Sequence, residues 1–178
     1  EMEGDTYAVM YIRDVNNYTS VTTSGKVKNK GAYEVLPYEK LGWHKNHSAM
    51  VIAMAVEAHL VRGEDYEKFI LEHKDPFDFM LRAKIPRSSR LVLVVDGEDI
   101  PQQNICRYYP AVGGGKLVKI MPPLKVGEED RRLSIDSEWE VKTCNDMESF
   151  TWDVNYEYYL SKAKELIDAV KFEAELGT

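Results

Sequence analysis

Only two cysteines, Cys106 and Cys144, occur in 178 residues. Two thiols so far apart make no disulfide framework and no Cys-x2-Cys pair, so a reducing, cytosolic setting is the default. Long apolar runs are missing as well. The longest, Ala49 to Ala58, is broken by Glu57 and falls short of the about 20 residues that cross a bilayer. The opening Glu1-Met2-Glu3-Gly4-Asp5 is acidic and lacks the apolar stretch of a secretory signal. An initial Glu in place of Met hints that residue 1 is not the natural start. No repeat, low-complexity segment or linker stands out.

Catalytic sets are scarce too. Gly113-Gly114-Gly115-Lys116 lacks the spacing of a phosphate loop and precedes a strand, which makes it a mobile hairpin tip. His44-x2-His47 with a distant Cys is a thin zinc candidate, because no paired cysteines accompany it. Ser48, Ser88 and Ser89 sit in no nucleophile elbow. Gly4-Asp5-Thr6 offers one acid where a two-metal phosphoryl-transfer site needs converging carboxylates. No acid, base and nucleophile converge, which disfavours an independent enzyme.

What is present is an ordinary globular composition, 44% apolar and 30% charged, in a chain long enough for one domain or one plus a small appendage. The net charge of −7 argues against a general nucleic-acid coat, but it is unevenly spread. Residues 26–47 carry five lysines against Glu34 and Glu39. Residues 82–125 carry Arg82, Lys84, Arg87, Arg90, Arg107, Lys116, Lys119 and Lys125 against Asp96, Glu98 and Asp99. Residues 126–178 hold fourteen acids against six bases. Two basic segments in an acidic chain suit one nucleic-acid face with a solvated back, although solubility alone produces the same segregation.

Strand formers at 7–12, a turn at Asp14, Asn16 and Asn17, alternation over 18–23 and a Ser24-Gly25 hairpin predict a small antiparallel sheet. Its last strand sets Lys26, Lys28 and Lys30 at period two, so the three amines share a side. A helix is predicted over 47–62, capped by Asn46 or Ser48 and stopped by Gly63, with His44, Lys45 and His47 around its start. That arrangement suits a phosphate backbone; a solvated strand edge guarded by lysines is the alternative. A second helix runs from Glu64-Asp65 to His73, then a short helical piece from Asp75-Pro76 puts Phe77, Phe79 and Met80 in the core. Strands follow at 90–95, into Tyr109, over 116–120 and within 134–141, and a last helix is predicted over 155–176. The fold class is α+β. Tyr109, beside Arg107, is a candidate for stacking on nucleic acid, with core packing the alternative; Tyr159 reads as core.

In their order the features resemble the carboxyl-terminal portion of a family B DNA polymerase, especially phage members. Asn16-Asn17-Tyr18 stands where that family has a Lys-x-Tyr element of the palm, and Lys28-Asn29-Lys30-Gly31 where it has a Lys-x-Lys-Gly-like hairpin. Trp43 to Ser48, Arg62 to Asp65 and Glu67 to Ile70 are similar to the entry into the thumb, and Arg107-Tyr108-Tyr109 and Lys119 to Pro123 to later thumb segments. Asn16 replaces the first Lys, so the carry-over is safest for Tyr18, Lys28 and Lys30. The resemblance implies palm-like strands over 1–45 and, over 46–178, a helical thumb-like region carrying an additional hairpin or small sheet. It implies a part that grips primer–template duplex in a bacterial or phage-infected cytoplasm, inactive alone, with no cofactor in this chain and Mg2+ expected only in the complete polymerase. The alternative is a self-contained phage or bacterial protein–protein interaction module. A polymerase portion leaves a raw sheet edge where upstream strands belong, and a self-contained module closes it.

Overall fold

A computed structural model describes residues 7–14, 16–22, 24–35, 49–135, 139–170 and 172–175. The fold is α+β, with ten strands in two antiparallel sheets and three α-helices among the described residues. The chain divides into two compact units. One comprises 1–41, 50–74 and 159–178, and the other 42–49 and 75–158, a different division from a boundary at 45/46. Among the described residues no helix is long and apolar enough to cross a membrane.

In the first unit, β1 (Tyr7–Asp14), β2 (Asn17–Thr22) and β3 (Val27–Lys30) form the expected meander, and β10 (Phe172–Glu175) joins the far side of β1. The predicted terminal helix is therefore shorter than its 155–176 apolar stripe. It ends as α3 (Tyr156–Asp168), and the chain returns as a strand. The Tyr33 hydroxyl donates to the Leu166 carbonyl at 2.7 Å, satisfying one of the acceptors that a helix end leaves open. α1 (Met50–Arg62) is rich in Ala, Val and Met and buries Val51, Ala55, Val56 and Ala58 completely. Gly63, in the left-handed region at φ 66°, ends it. α2 (Tyr66–Glu72) starts where the Asp65 carboxylate accepts the Glu67 and Lys68 amides at 3.0 and 3.4 Å.

The second unit is built on β7 (Ile105–Met121), 17 residues long. Its first part lies between β4 (Leu81–Lys84) and β9 (Val141–Thr143), and its second between β5 (Arg90–Val95) and β8 (Arg131–Ile135). β6 (Glu98–Gln102) pairs with β5 across Asp96-Gly97, both at positive φ as a tight hairpin turn demands. Gly113-Gly114-Gly115 is a corner inside β7 and not a hairpin tip. Val141 pairs with both Pro110 and Gly115, so β7 bends between its two sets of partners. A Cβ on Gly114 would lie 2.3 Å from the Val141 oxygen, and one on Gly115 2.4 Å from the Val94 oxygen. Only glycine lets the backbones approach so closely. Phe77, Phe79 and Met80 are core, as expected. Phe77 and Phe79 lie within the 3-10 turn Pro76–Phe79 and Met80 directly after it; Asp75 caps the turn, its carboxylate accepting the Phe77 amide at 3.1 Å.

Candidate nucleic-acid interface

The lysine strand is held in register by the turn before it. Gly25 takes φ 88°, the Thr22 amide donates to the Lys26 carbonyl at 2.8 Å, and the Lys26 amide returns a bond to the Thr22 hydroxyl at 3.0 Å. Lys26 thus belongs to the turn, exposed, one residue short of β3. From there Ser20 pairs with Lys28 and Tyr18 with Lys30. Directly opposed residues share a face, so Tyr18, Lys28 and Lys30 stand on one side of the hairpin. Asn29, between the two lysines, faces the other way and donates from its amide to Glu57 of α1 at 2.9 Å. Glu57 in turn lies 3.8 Å from Arg62. That bond fixes which side of β3 faces α1 and sends both lysines to the opposite side. Lys30 is exposed; Lys28 and Tyr18 are half-buried. Among the described residues β3 is also an edge strand, so the cations sit at the rim of the sheet.

The turn that enters β2 is tied to the one that leaves β3. Asp14 accepts the Asn16 amide at 2.9 Å and the Asn17 side-chain amide at 3.0 Å. These bonds, that from Asn17 foremost, hold the exposed Asp14 carboxyl below its ordinary range. The Asn17 side-chain oxygen accepts the Ala32 amide at 2.8 Å. Gly31, at φ 68°, packs so tightly there that a Cβ would sit 2.3 Å from both the Asn16 carbonyl and the Asn17 side-chain oxygen. The two sequence elements, 16–18 and 28–31, therefore meet as one structural piece. Asn17, Asn29 and Glu57 do not stand out as site residues from sequence. The one available signal for Asn17 is an Asx residue at a turn facing a glycine fourteen positions later.

The basic residues of the second unit do not share one surface. Arg87 and Arg90 are exposed, at the turn before β5 and at its first residue. Arg90 and Lys116 lie on the face of Val92, Val118 and Ile120, whereas Lys119 lies on the face of Leu91 and Leu117. Arg107 and Tyr109 are corrections. Arg107 is 2% exposed with its guanidinium 4.7 Å from the centre of the Phe77 ring, and Tyr109 is 1% exposed. Both belong to the part of β7 flanked by β4 and β9, where the side chains of a central strand are covered on either face. The Tyr109 hydroxyl donates to Asp153 at 2.6 Å, and Lys142 pairs with the same carboxylate. Burial works against the Asp153 charge and is the largest single influence. The bonds from Lys142, Tyr109 and Thr151 together outweigh it and bring the carboxyl down to about 2. His44, Lys45 and His47 lie outside the described residues, as do the helix caps at Asn46 and Ser48.

Among the described residues no group of three or more His, Cys, Asp or Glu is placed to hold a metal ion. What the hairpin offers is two ammonium groups and a phenol at a sheet edge, suited to phosphate and sugar oxygens and without the paired donors and acceptors that read a base. Compared with known proteins, the chain matches no family model, no curated protein and no solved structure.

Proposed function

We propose that this chain is the part of a phage-type family B DNA-directed DNA polymerase that grips the primer–template duplex in DNA replication. The supporting observation is the pairing of Tyr18 with Lys30. Tyr18 of one element that carries the resemblance and Lys28 and Lys30 of the other, separated in sequence, fall on one face of one hairpin. Lys28 and Lys30 neutralise phosphates of the duplex, and Tyr18 bears on the same backbone. Lys26 adds non-specific attraction. Such contacts hold position and register without selecting sequence, so the contribution to catalysis is alignment and processivity. The residues that bind Mg2+ and nucleotide, and that form the phosphodiester bond, belong to the remainder of the polymerase, the chain's protein partner. Its place of action is the bacterial or phage-infected cytoplasm.

The test is fluorescence anisotropy of the full chain with labelled duplex, single strand and heparin competitor at several salt concentrations. Salt-sensitive binding in the micromolar range that prefers duplex is expected. Lys28→Ala and Lys30→Ala should each reduce the log–log salt slope by about 0.9, uniformly across sequences. Absence of binding at low salt, or variants that bind as the parent does, would overturn the reading.

The pairing of β10 on β1, from Val9 with Glu175 to Ile12 with Phe172, favours the second reading, a self-contained protein-interaction module. The chain's own strand occupies the edge where the upstream strands of a palm would join. Under that reading the same titration shows no preference for duplex.

A further inference from the structure

We infer that Asn17 is a positioning residue that holds Lys30 against Tyr18 in the duplex-binding hairpin; the inference rests on the duplex-gripping reading above. β3 has four residues, and Lys30 is the last, paired with the second residue of β2. A terminal pair of so short a ladder frays unless something beyond it is fixed. Immediately past Lys30 the backbone turns through Gly31 at φ 68° into the 3-10 turn Gly31–Tyr33. The far end of that turn is anchored by the Tyr33 hydroxyl on the Leu166 carbonyl. Its near end, next to Lys30, is held by the Asn17 side chain, with its oxygen on the Ala32 amide at 2.8 Å and its nitrogen on Asp14 at 3.0 Å.

Asn17 therefore clasps the end of β1, the start of β2 and the exit of β3 with one side chain. Asn16 presses on the same spot through its carbonyl, against which Gly31 leaves no room for a Cβ. An amide suits the position because it carries acceptor and donor on two separate atoms, the oxygen reaching the Ala32 amide and the nitrogen reaching Asp14. Removing it leaves both lysines in the sequence but frees the distal one to move away from Tyr18. A phosphate then meets one fixed ammonium, not two.

Anisotropy titrations across salt concentrations with Lys30→Ala, Asn17→Ala, the double variant and the exchange variant D14N/N17D test this. Expected is that Asn17→Ala loses affinity about as much as Lys30→Ala does and reduces the salt slope by about 0.9. The double variant should be no weaker than Lys30→Ala alone, and D14N/N17D, which swaps donor and acceptor at constant charge, should recover the parent's slope. A merely structural role would lower thermal stability but add its effect in full to that of Lys30→Ala. That additivity overturns the inference, as does a parental slope in Asn17→Ala. Should Asn17→Ala fail to fold, a folded D14N/N17D without the parent's slope overturns it. A Lys30→Ala variant that binds as the parent does removes the duplex reading itself, and the inference with it.

Discussion

Arg132 and Asp99 meet in a two-pronged fork, with each guanidinium nitrogen 2.9 Å from its own carboxylate oxygen. Their strands, β8 and β6, are the outer members of the ladder β6–β5–β7–β8. In a flat sheet three strand spacings would separate them by about 14 Å, beyond the reach of the two side chains together. The ladder is therefore curled over the face that carries Val92, Val118 and Ile120, and the ion pair ties its two edges together.

That tie is exposed, at 46% for Arg132 and 36% for Asp99, so it is screened by salt. A double-mutant cycle of Arg132→Gln and Asp99→Asn, read by thermal denaturation, should show a favourable coupling at low ionic strength. The coupling should vanish near 1 M salt, where the Debye length is about 3 Å. A coupling that persists at high salt would mean that the guanidinium holds the sheet by packing and not by charge.

The three glycines of the β7 corner should separate by mechanism. Gly113 has φ 77°, and a Cβ added there would meet nothing within 4 Å, so Gly113→Ala meets only the left-handed conformational penalty of about 1–2 kcal/mol. Gly114→Ala and Gly115→Ala drive a methyl into strand backbone and should cost more than the about 1–3 kcal/mol of ordinary overpacking. Urea denaturation midpoints rank the three. Equal losses would show that the corner opens freely.

The elements are legible in sequence wherever local chemistry decides them. Ser24-Gly25, Asp65, Asp75-Pro76 and Asp96-Gly97 each mark a turn or cap that the structure contains. The failures share a cause. Gly113-Gly114-Gly115 reads as a tip because glycine frees a chain locally; its use here is close approach to Val141 and Val94, which are distant in sequence. The stripe after Tyr156 reads as helix to its end, because nothing local announces that β1 has an open side for β10. Tyr109 and Arg107 read as candidate contacts from their polarity, but a central strand buries them. In the hairpin, the period of the lysines is visible, whereas the bonds that fix it, from Asn17 and Asn29, join residues fifteen and twenty-eight positions apart.

Both thiols should be inert in the folded protein. Burial pushes Cys106 up to about 11, and it raises Cys144 as well, partly offset by the Asp146 backbone. The Cys144 sulfur also donates to the Asp146 carbonyl at 2.9 Å. Thiolate is the reactive form, so a disulfide-exchange reagent at neutral pH should label neither cysteine until denaturant is added, and then both together. Rapid labelling of one alone in the native protein would show that its strand opens locally.

Acid should weaken the second unit through Asp153. Its folded carboxyl lies at about 2, below the about 3.9 of an unfolded aspartate. The stabilisation is therefore complete above the unfolded value and is lost as pH falls through the folded one, between about 4 and 2. Tyr109→Phe deletes the 2.6 Å bond to this carboxylate, at a cost of about 1.5–3 kcal/mol for a bond to a charged group. Deleting it also raises the Asp153 carboxyl, so the acid loss begins at higher pH. Urea denaturation at pH 7, 4, 3 and 2.5 should show a steep limb for the parent, an earlier one for Tyr109→Phe and a flattened one for Asp153→Asn. Duplex binding at neutral pH should be the same for Tyr109→Phe and the parent, because a residue 1% exposed touches no ligand. A large loss of binding in a folded Tyr109→Phe protein would return this tyrosine to the binding surface and show that the strand covering it moves aside.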